Sequence, residues 1–483
     1  MANESVVFYL QNVNGPPIEK IYWDDTYLYK QILKGLDNCR KNCCDSIASI
    51  GIDTWGPDGQ FINTDGEMLG KVCCYRDHRL DRMTEILTAK ISPSRIYEIT
   101  GIQFQPFNIS NQLLWFMLNR SYMLKPGYIF LPMPTIFYHY LGGEIKIDTT
   151  WASVTQLMDT RTKEWSEEIL TKLNIPRDIL PEIVPPGTVT GKLFEPIADL
   201  LHLNRSKLIA VASHDTASAF AAAPVKHPDS SLIISSGTWS LIGKIIGDSI
   251  TSPEAMEENF SNEGGIGNIR FLKNCMGLWL EQELRRMWRN TDGREMDWNE
   301  ATRLVKKAPP FTAFIDPDCD LFYNPKNMED AISDYCSMTG QKAPADRGAF
   351  LRLVYESLAM KYRMVNEKIS KITGKPSKTI HIIGGGCNNE LLNQFTSDAL
   401  GLPVSAGPEE ATALGNIMVQ AKSLNLIPGL ETTNLLISDM CTIKEYRPKY
   451  QTKWDIAYEQ FEKILSRRRG IGGWSSGFRR SVT

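Results

Sequence analysis

A carboxylate at position 215 is the residue whose surroundings most favour catalysis. His214-Asp215-Thr216 comes one residue after the apolar run Leu208–Ala212 and directly before the small-residue segment Ala217–Ala223. This pattern predicts a buried strand followed by a helix, and α/β sheets bind ligands where such strands end. Asp215 is therefore a candidate general base. A helix N-cap is an equal alternative, because an Asp before a helix accepts hydrogen bonds from its free N–H groups.

Two glycine-containing turns are candidate phosphate or nucleotide sites. Gly237 and Thr238 follow two serines between apolar runs. The glycine would let backbone N–H groups approach a phosphate, and the hydroxyls would add donors. Gly384–Gly386 lies between a predicted strand and a predicted helix, where free N–H groups and the helix dipole favour an anion. A plain hairpin turn and a plain tight turn, respectively, explain the same residues.

Three familiar motifs are absent. Cys387 follows Gly386, and the third glycine of the dinucleotide fingerprint is missing. The segment Gly187–Leu193 is one residue short of a P-loop and lacks its Ser or Thr. The ten cysteines include no C-x-x-C pair, so neither a zinc nor a redox site is predicted and no metal ligand is assigned.

The elements that must position these residues alternate between strands and helices. In the first half, we predict strands at Val6–Leu10 and Ile47–Asp53, with a helix after Asp24 between them. A hairpin is predicted from Gln60 through Asp65-Gly66. The fold class is therefore mixed α/β.

The second half follows the same alternation. Ser231–Ile242 predicts strand, turn and strand, and Thr379–Ile383 predicts another strand. A long apolar stripe predicts a helix that stops at Gly374. An Ala-rich helix is predicted after Gly407-Pro408, with Glu409 and Glu410 in its first turn.

Length and charge bound the class of protein. The chain has 483 residues, 42% of them apolar, and 53 basic residues against 56 acidic ones. These values predict two globular domains and no nucleic-acid or membrane partner. The first residues lack a basic signal region and no apolar run could cross a bilayer, so a cytosolic location is expected. A boundary is expected near Pro224, which gives domains at 1–223 and 224–445 and a helix with a basic flexible tail at 446–483.

Seven segments, in the expected order along the chain, resemble L-rhamnulose kinases, a branch of the FGGY carbohydrate kinases. They are Ile52–Asp58, Tyr75–Arg79, Ala212–Ser218, Ser235–Leu241, Asn262–Gly265, Phe271–Trp279 and Gly384–Asn388. The resemblance implies two actin-like, ribonuclease-H-like domains around a cleft. It also implies L-rhamnulose and ATP as substrates, with Mg²⁺ bridging the phosphates.

The resemblance also implies residue roles. Asp215 would take the proton from O1 of the ketose, and His214, Gly56 and Asn274 would line the sugar pocket. Thr238 would bind the terminal phosphates and Gln282 would lie on the ATP side. Gly384, Gly385 and Gly386 would face the adenosine and its α-phosphate.

The sequence departs from that family in three ways. Members open with a strand carrying an Asp-x-Gly phosphate loop and a second strand paired to it, so the first domain is expected to be truncated at its N-terminus. Members also carry Asp at the position of Thr135 and Phe at that of Gly59, on the sugar side. Four alternatives follow: a start upstream of Met1, a short form that binds without turnover, a kinase for another ketose, and a sugar or nucleotide sensor. Retention of His214-Asp215 argues mildly against the sensor.

Overall fold

The computed structural model describes residues 5–10, 18–43, 46–429 and 431–467. Strands and helices alternate along these ranges. The strands are β1 (Ser5–Leu10), β2 (Ile18–Trp23), β3 (Ser49–Gly51), β4 (Gly59–Ile62), β5 (Ile129–Pro132), β6 (Lys146–Asp148), β7 (Glu182–Val184), β8 (Thr188–Lys192), β9 (Lys207–Ala210), β10 (Ser231–Ser236), β11 (Trp239–Ile246), β12 (Ser261–Gly264), β13 (Ile269–Met276), β14 (Thr379–Ile383), β15 (Val404–Ala406) and β16 (Lys444–Tyr446).

Most helices are short, and the longest is a 27-residue helix in the second half. The helices are α1 (Asp25–Cys43), α2 (Met83–Lys90), α3 (Pro93–Thr100), α4 (Ile109–Asn119), α5 (Met133–Leu141), α6 (Thr149–Ser153), α7 (Glu167–Leu173), α8 (Glu195–Leu201), α9 (Asp215–Ala221), α10 (Pro253–Glu257), α11 (Trp279–Asp292), α12 (Trp298–Lys307), α13 (Met328–Met338), α14 (Arg347–Thr373), α15 (Glu390–Leu400), α16 (Ala411–Ser423), α17 (Glu431–Met440) and α18 (Gln451–Arg467). Among the described residues, none of these helices is both long and apolar enough to span a bilayer.

The first half is built on small sheets. Strands β3, β9 and β8 form one of them, with β3 parallel and β8 antiparallel to β9. Strand β1 pairs with β2, β4 with β5, and β6 with β7. Because β3 and β9 are parallel neighbours, the loops after them meet: Thr54 bridges His214, and the Asp215 N–H donates to the Thr54 carbonyl at 2.9 Å.

The second half contains, within the described ranges, a seven-stranded sheet in the order β12-β13-β11-β10-β14-β15-β16. Strands β10, β14 and β15 are parallel to one another, so the turns that follow β10 and β14 lie at one edge of the sheet. Helix α14 packs on this sheet and on α15 and ends at Gly374, whose φ of 66° is the left-handed conformation that favours glycine.

Several elements predicted from the sequence are present, most of them with bounds that differ by a few residues. Strand β14 has the predicted bounds, and β10 and β11 confirm the predicted strand, turn and strand. Strand β3 is shorter than predicted because the Ile52 N–H donates to the Tyr138 hydroxyl at 2.8 Å instead of continuing the ladder. The prediction that Glu409 and Glu410 lie in the first turn of α16 is wrong, since that helix begins at Ala411.

The predicted boundary at Pro224 falls between α9 and β10, which belong to different halves. In the predicted C-terminal segment 446–483, helix α18 occupies Gln451–Arg467. The basic tail predicted beyond it, at 468–483, lies outside the described residues.

Candidate active site

Asp215 is the first residue of α9, after His214 in the cap position. Its Oδ1 accepts hydrogen bonds from the N–H and hydroxyl of Thr216, so the carboxylate contributes to the first turn of the helix. The side chain is nevertheless 36% exposed, which leaves it accessible to a ligand. Closely packed protein around the group raises the pKa of Asp215 to about 6 by burial. A carboxylate with that pKa is ionised at neutral pH and still basic enough to accept a proton.

His214 lies beside Asp215 as a neutral imidazole. Burial and the nearby positive charge of Arg270 hold the pKa of His214 well below its usual value. Arg270 donates to His214 Nδ1 at 3.0 Å, so the ring carries its proton on Nε2. That nitrogen lies 3.6 Å from Asp215 Oδ1. A Cβ at Gly56 would lie 2.9 Å from His214 Nε2, so only glycine allows this approach.

A buried polar network joins His214 to Asn274. Arg270 Nη1 lies 3.2 Å from Glu263 Oε2, and both side chains are nearly inaccessible to solvent. Asn274 Nδ2 donates to Glu263 Oε1 at 3.1 Å. The Asn274 N–H donates to Gln103 Oε1 of the first half at 3.0 Å. Three of the predicted sugar-side residues are therefore connected, directly or through Arg270 and Glu263.

Sequence reasoning missed Glu263, Arg270 and Gln103 as site residues. A signal existed for Arg270, because a charged residue stands inside the otherwise apolar start of β13. Glu263 was visible only as part of the segment Asn262–Gly265. Gln103 carried no signal, because its contact with Asn274 spans 171 residues.

Thr238 and Gln282 contact each other in a second group of predicted site residues. Thr238 lies in the turn between β10 and β11, and its hydroxyl donates to Gln282 Oε1 at 3.2 Å. The turn is fixed by main-chain bonds: the Leu278 N–H donates to the Gly237 carbonyl at 2.9 Å, and the Trp279 N–H donates to the Thr238 carbonyl at 3.2 Å. The start of α11 therefore holds this turn in place.

The three glycines after β14 lie against the same turn. Gly384 has a φ of 80°, and a Cβ on Gly386 would lie 2.0 Å from Ser236 Oγ. Ser236 is the last residue of β10, immediately before Gly237. The structure thus brings Thr238, Gln282 and the segment Gly384–Gly386 to one edge of the large sheet.

The two groups of predicted residues lie on adjacent strands. Asn274 on β13 pairs with Leu241 on β11, three positions from Thr238. At roughly 3.3 Å per residue, that separation is about 10 Å along the strand. The Asn274 end of the first group therefore lies close to the Thr238 turn of the second group.

Asp53 is a further carboxylate that sequence reasoning did not select. Burial raises the pKa of Asp53 to about 7, and the charge of Asp215 adds to that increase. Asn416 of α16 donates to Asp53 Oδ2 at 2.5 Å and to the Gly51 carbonyl at 3.2 Å. A helix of the second half thus holds a carboxylate of the first half near the candidate base.

The two sugar-side departures have internal packing roles. A Cβ on Gly59 would lie 2.4 Å from Phe130 Cζ, so the Phe130 ring fills the space beside this residue. Thr135 is fully buried, and its hydroxyl donates to the Lys146 carbonyl at 3.0 Å. Both positions are therefore filled without a strained or unpaired group.

Known proteins resemble this chain in sequence and in fold. Residues 21–221 match the N-terminal domain, and residues 232–424 the C-terminal domain, of the FGGY family of carbohydrate kinases. A rhamnulokinase of Bacteroides thetaiotaomicron is 39% identical over 445 residues, which cover 92% of this chain and 90% of the relative. A rhamnulokinase of Bacillus subtilis is 36% identical over 428 residues, covering 88% and 86% respectively.

Solved structures with little sequence identity share the fold. A ligand-bound xylulose kinase from Lactobacillus acidophilus superposes with a TM-score of 0.75 at 16% identity, covering 97% of this chain and 96% of the other. A glycerol kinase from Plasmodium falciparum with ADP gives a TM-score of 0.72 at 18% identity, covering 96% and 95%.

Proposed function

The chain belongs to the FGGY family of carbohydrate kinases, and from that premise we propose that it transfers the γ-phosphoryl group of ATP to O1 of L-rhamnulose, with Asp215 as the general base. A carbohydrate kinase is a phosphotransferase with a sugar as acceptor. L-rhamnulose is proposed as the sugar because rhamnulokinases from several species are 34–39% identical to this chain over most of its length.

One observation carries the proposal. A partly exposed carboxylate with a pKa of about 6 lies next to a neutral histidine whose Nε2–H faces it. A general base works best when its pKa is near the operating pH. The neutral His214 could donate a hydrogen bond to a sugar oxygen without competing for the proton that Asp215 accepts.

The chemistry that follows is in-line phosphoryl transfer. The attacking hydroxyl gives its proton to Asp215 while its oxygen bonds to the γ-phosphorus and the bond to the β-phosphate oxygen breaks. The Nε2–H of His214 and the amide of Asn274 would orient the sugar. The hydroxyl of Thr238 and the N–H groups of the segment Gly384–Gly386 would hold the nucleotide.

Magnesium is proposed as part of the substrate, Mg-ATP. In phosphoryl-transfer sites this ion is held by substrate phosphates and one or two carboxylates. The Asp215 side chain is 36% exposed and supplies a carboxylate oxygen that fits that requirement, whereas Asp53 is bonded to Asn416. The ion would supply charge neutralisation, whereas proton removal is assigned to Asp215. A cytoplasmic location belongs to the proposal, since ATP is the donor.

The test is direct. The purified chain is incubated with Mg-ATP and L-rhamnulose, ADP release is measured, and the phosphorylated carbon is identified by ³¹P–¹H correlation NMR. We expect one phosphate per ADP, on O1, and little ATP hydrolysis without sugar. A panel including D-xylulose and L-fuculose provides the comparison. If another ketose had the higher kcat/KM, that ketose would replace L-rhamnulose as the assigned substrate. If no ketose were phosphorylated, the proposal would be contradicted.

A further inference from the structure

The Arg76 side chain extends from the first half of the molecule into an aromatic cage. Its guanidinium carbon lies 5.2 Å from the ring centroid of Tyr75, 4.3 Å from that of Trp279 and 5.2 Å from that of Tyr323. Its Nη1 also donates to the Tyr323 carbonyl at 3.0 Å. Trp279 and Tyr323 belong to the second half, so Arg76 joins the two halves. We call these four residues the Arg76 cage.

Asp77, the next residue along the chain, has the opposite charge, and a surface ion pair with Arg76 would be one use of that charge. The Asp77 carboxylate instead accepts from the Ile21 N–H and the Arg79 N–H, both at 3.0 Å. Cation–π contacts and a main-chain carbonyl therefore hold Arg76 in its place.

Trp279 connects the Arg76 cage to the nucleotide side of the site. Its ring packs on Arg76, while its N–H donates to the Thr238 carbonyl at 3.2 Å. Its indole N–H donates to the Phe322 carbonyl at 3.1 Å, next to Tyr323. Trp279 is also the first residue of α11, which carries Gln282. A displacement of this indole would therefore move Thr238 and Gln282 together.

A second aromatic contact fixes the other end of the same turn. The Phe107 ring of the first half lies 6.0 Å from the ring of Trp239, which directly follows Thr238. The Tyr75 ring lies 5.4 Å from Phe107, and the Tyr75 N–H donates to the buried Asp58 carboxylate at 3.1 Å. The backbone beside Arg76 is thus anchored, and the first half contacts Trp239 through Phe107 and Trp279 through Arg76.

We propose that Arg76 is a positioning residue for the nucleotide: through Trp279 it holds the Thr238 turn and the start of α11 in the geometry that binds ATP. It lies outside the group formed by His214, Gly56 and Asn274, so sugar affinity does not depend on it. This inference rests on the proposed function, because it assigns Thr238 and Gln282 to the nucleotide.

The test measures nucleotide and sugar binding separately by calorimetry on the full chain. Arg76→Ala is expected to weaken MgADP binding about tenfold, the range of a lost buried cation–π contact, and to leave L-rhamnulose affinity unchanged. Arg76→Lys keeps the charge but loses the planar fork, so an intermediate loss is expected. In kinetics, KM for ATP should rise more than KM for sugar. Trp279→Leu should give a similar loss, and the double variant no further one.

Two control variants separate positioning from general stability. Arg82 is largely exposed and pairs with Glu85 at 3.5 Å, so Arg82→Ala should bind MgADP as the unaltered chain does. Arg79 is buried and bonds to the Cys74 carbonyl and Gln112, both in the first half. Arg79→Met should lower the melting temperature. At temperatures where this variant is folded, its MgADP affinity should be unchanged.

The outcomes distinguish this inference from the proposed function. Unchanged MgADP affinity in Arg76→Ala, or an equal loss in folded Arg79→Met, overturns the positioning role. MgADP binding without phosphorylation of L-rhamnulose overturns the proposed function and leaves the Arg76 result valid. Failure of the unaltered chain to bind MgADP contradicts both.

Discussion

The charge of Glu263 should raise the pH below which the enzyme loses activity. Burial raises the pKa of Asp215 to about 6, the charge of Arg270 lowers it and that of Glu263 raises it. Glu263→Gln removes the neighbouring negative charge and keeps an acceptor for Asn274. The variant should therefore have a lower pKa at Asp215. The acid limb of its profile of kcat/KM against pH should move to lower pH.

The size of the effect follows from the ionised fraction of the base. With a pKa of about 6, roughly nine-tenths of Asp215 is ionised at pH 7 and roughly one-tenth at pH 5. Since only the ionised form accepts the proton, kcat/KM should fall about tenfold per pH unit well below pH 6. At pH 5.5, Glu263→Gln should retain a larger fraction of its plateau activity than the unaltered chain.

The assay is kcat/KM for the sugar at saturating Mg-ATP, from pH 5 to pH 8. ATP titrates in the same way with every variant. A displacement between two profiles of kcat/KM against pH therefore reports a change in the protein. Glu85, which is 72% exposed, gives the matched control Glu85→Gln. An acid limb that is the same in Glu263→Gln and in the control, or one centred near the ordinary Asp pKa of about 4, would refute this reasoning.

Two further substitutions test the surroundings of the base and of the glycine turn. Burial raises the pKa of Asp53 to about 7, so the native chain binds this proton more tightly than the unfolded chain and loses stability as pH rises from about 4 to about 7. Asp53→Asn should thus be more stable by about 4 kcal/mol at pH 8, with no gain below pH 4, in paired thermal melts; an equal gain at both pH values would contradict the buried charge. Gly386→Ala should clash with Ser236 Oγ, 2.0 Å from the new Cβ, and weaken MgADP binding, while Gly247→Ala, outside the site and with open space, should not. Equal affinities in the two alanine variants would remove Gly386 from the nucleotide site.

Elements that depend on adjacent residues could be predicted from the sequence. The turn at Gly237 separates two apolar runs, and Gly374 ends a long apolar stripe, so these signals lie within a few residues of the structure they specify. The position of Asp215 at a helix start was also visible. The N-cap alternative was off by one residue, since His214 is the cap and Asp215 is the first helical residue; its Oδ1 accepts from Thr216 while a third of the side chain stays exposed.

Contacts between distant parts of the chain could not be predicted. Arg76 is 247 residues from Tyr323, and the rings that enclose it come from separate elements. The buried pair of Glu263 and Arg270 depends on the pairing of β12 with β13, which the sequence pattern did not specify. A buried charge costs free energy unless its partner is near, and that partner is defined only by the fold.

The central claim is that the carboxylate of Asp215 removes the proton from the attacking hydroxyl, and Asp215→Asn tests it most directly. The amide keeps the size of the side chain and can still accept from Thr216, so the dissociation constant for L-rhamnulose should be unchanged. The value of kcat should fall about a hundred- to ten-thousand-fold. Asp81→Asn, at a side chain that is 65% exposed, is the control and should retain full activity. Turnover by Asp215→Asn near that of the unaltered chain would contradict the account.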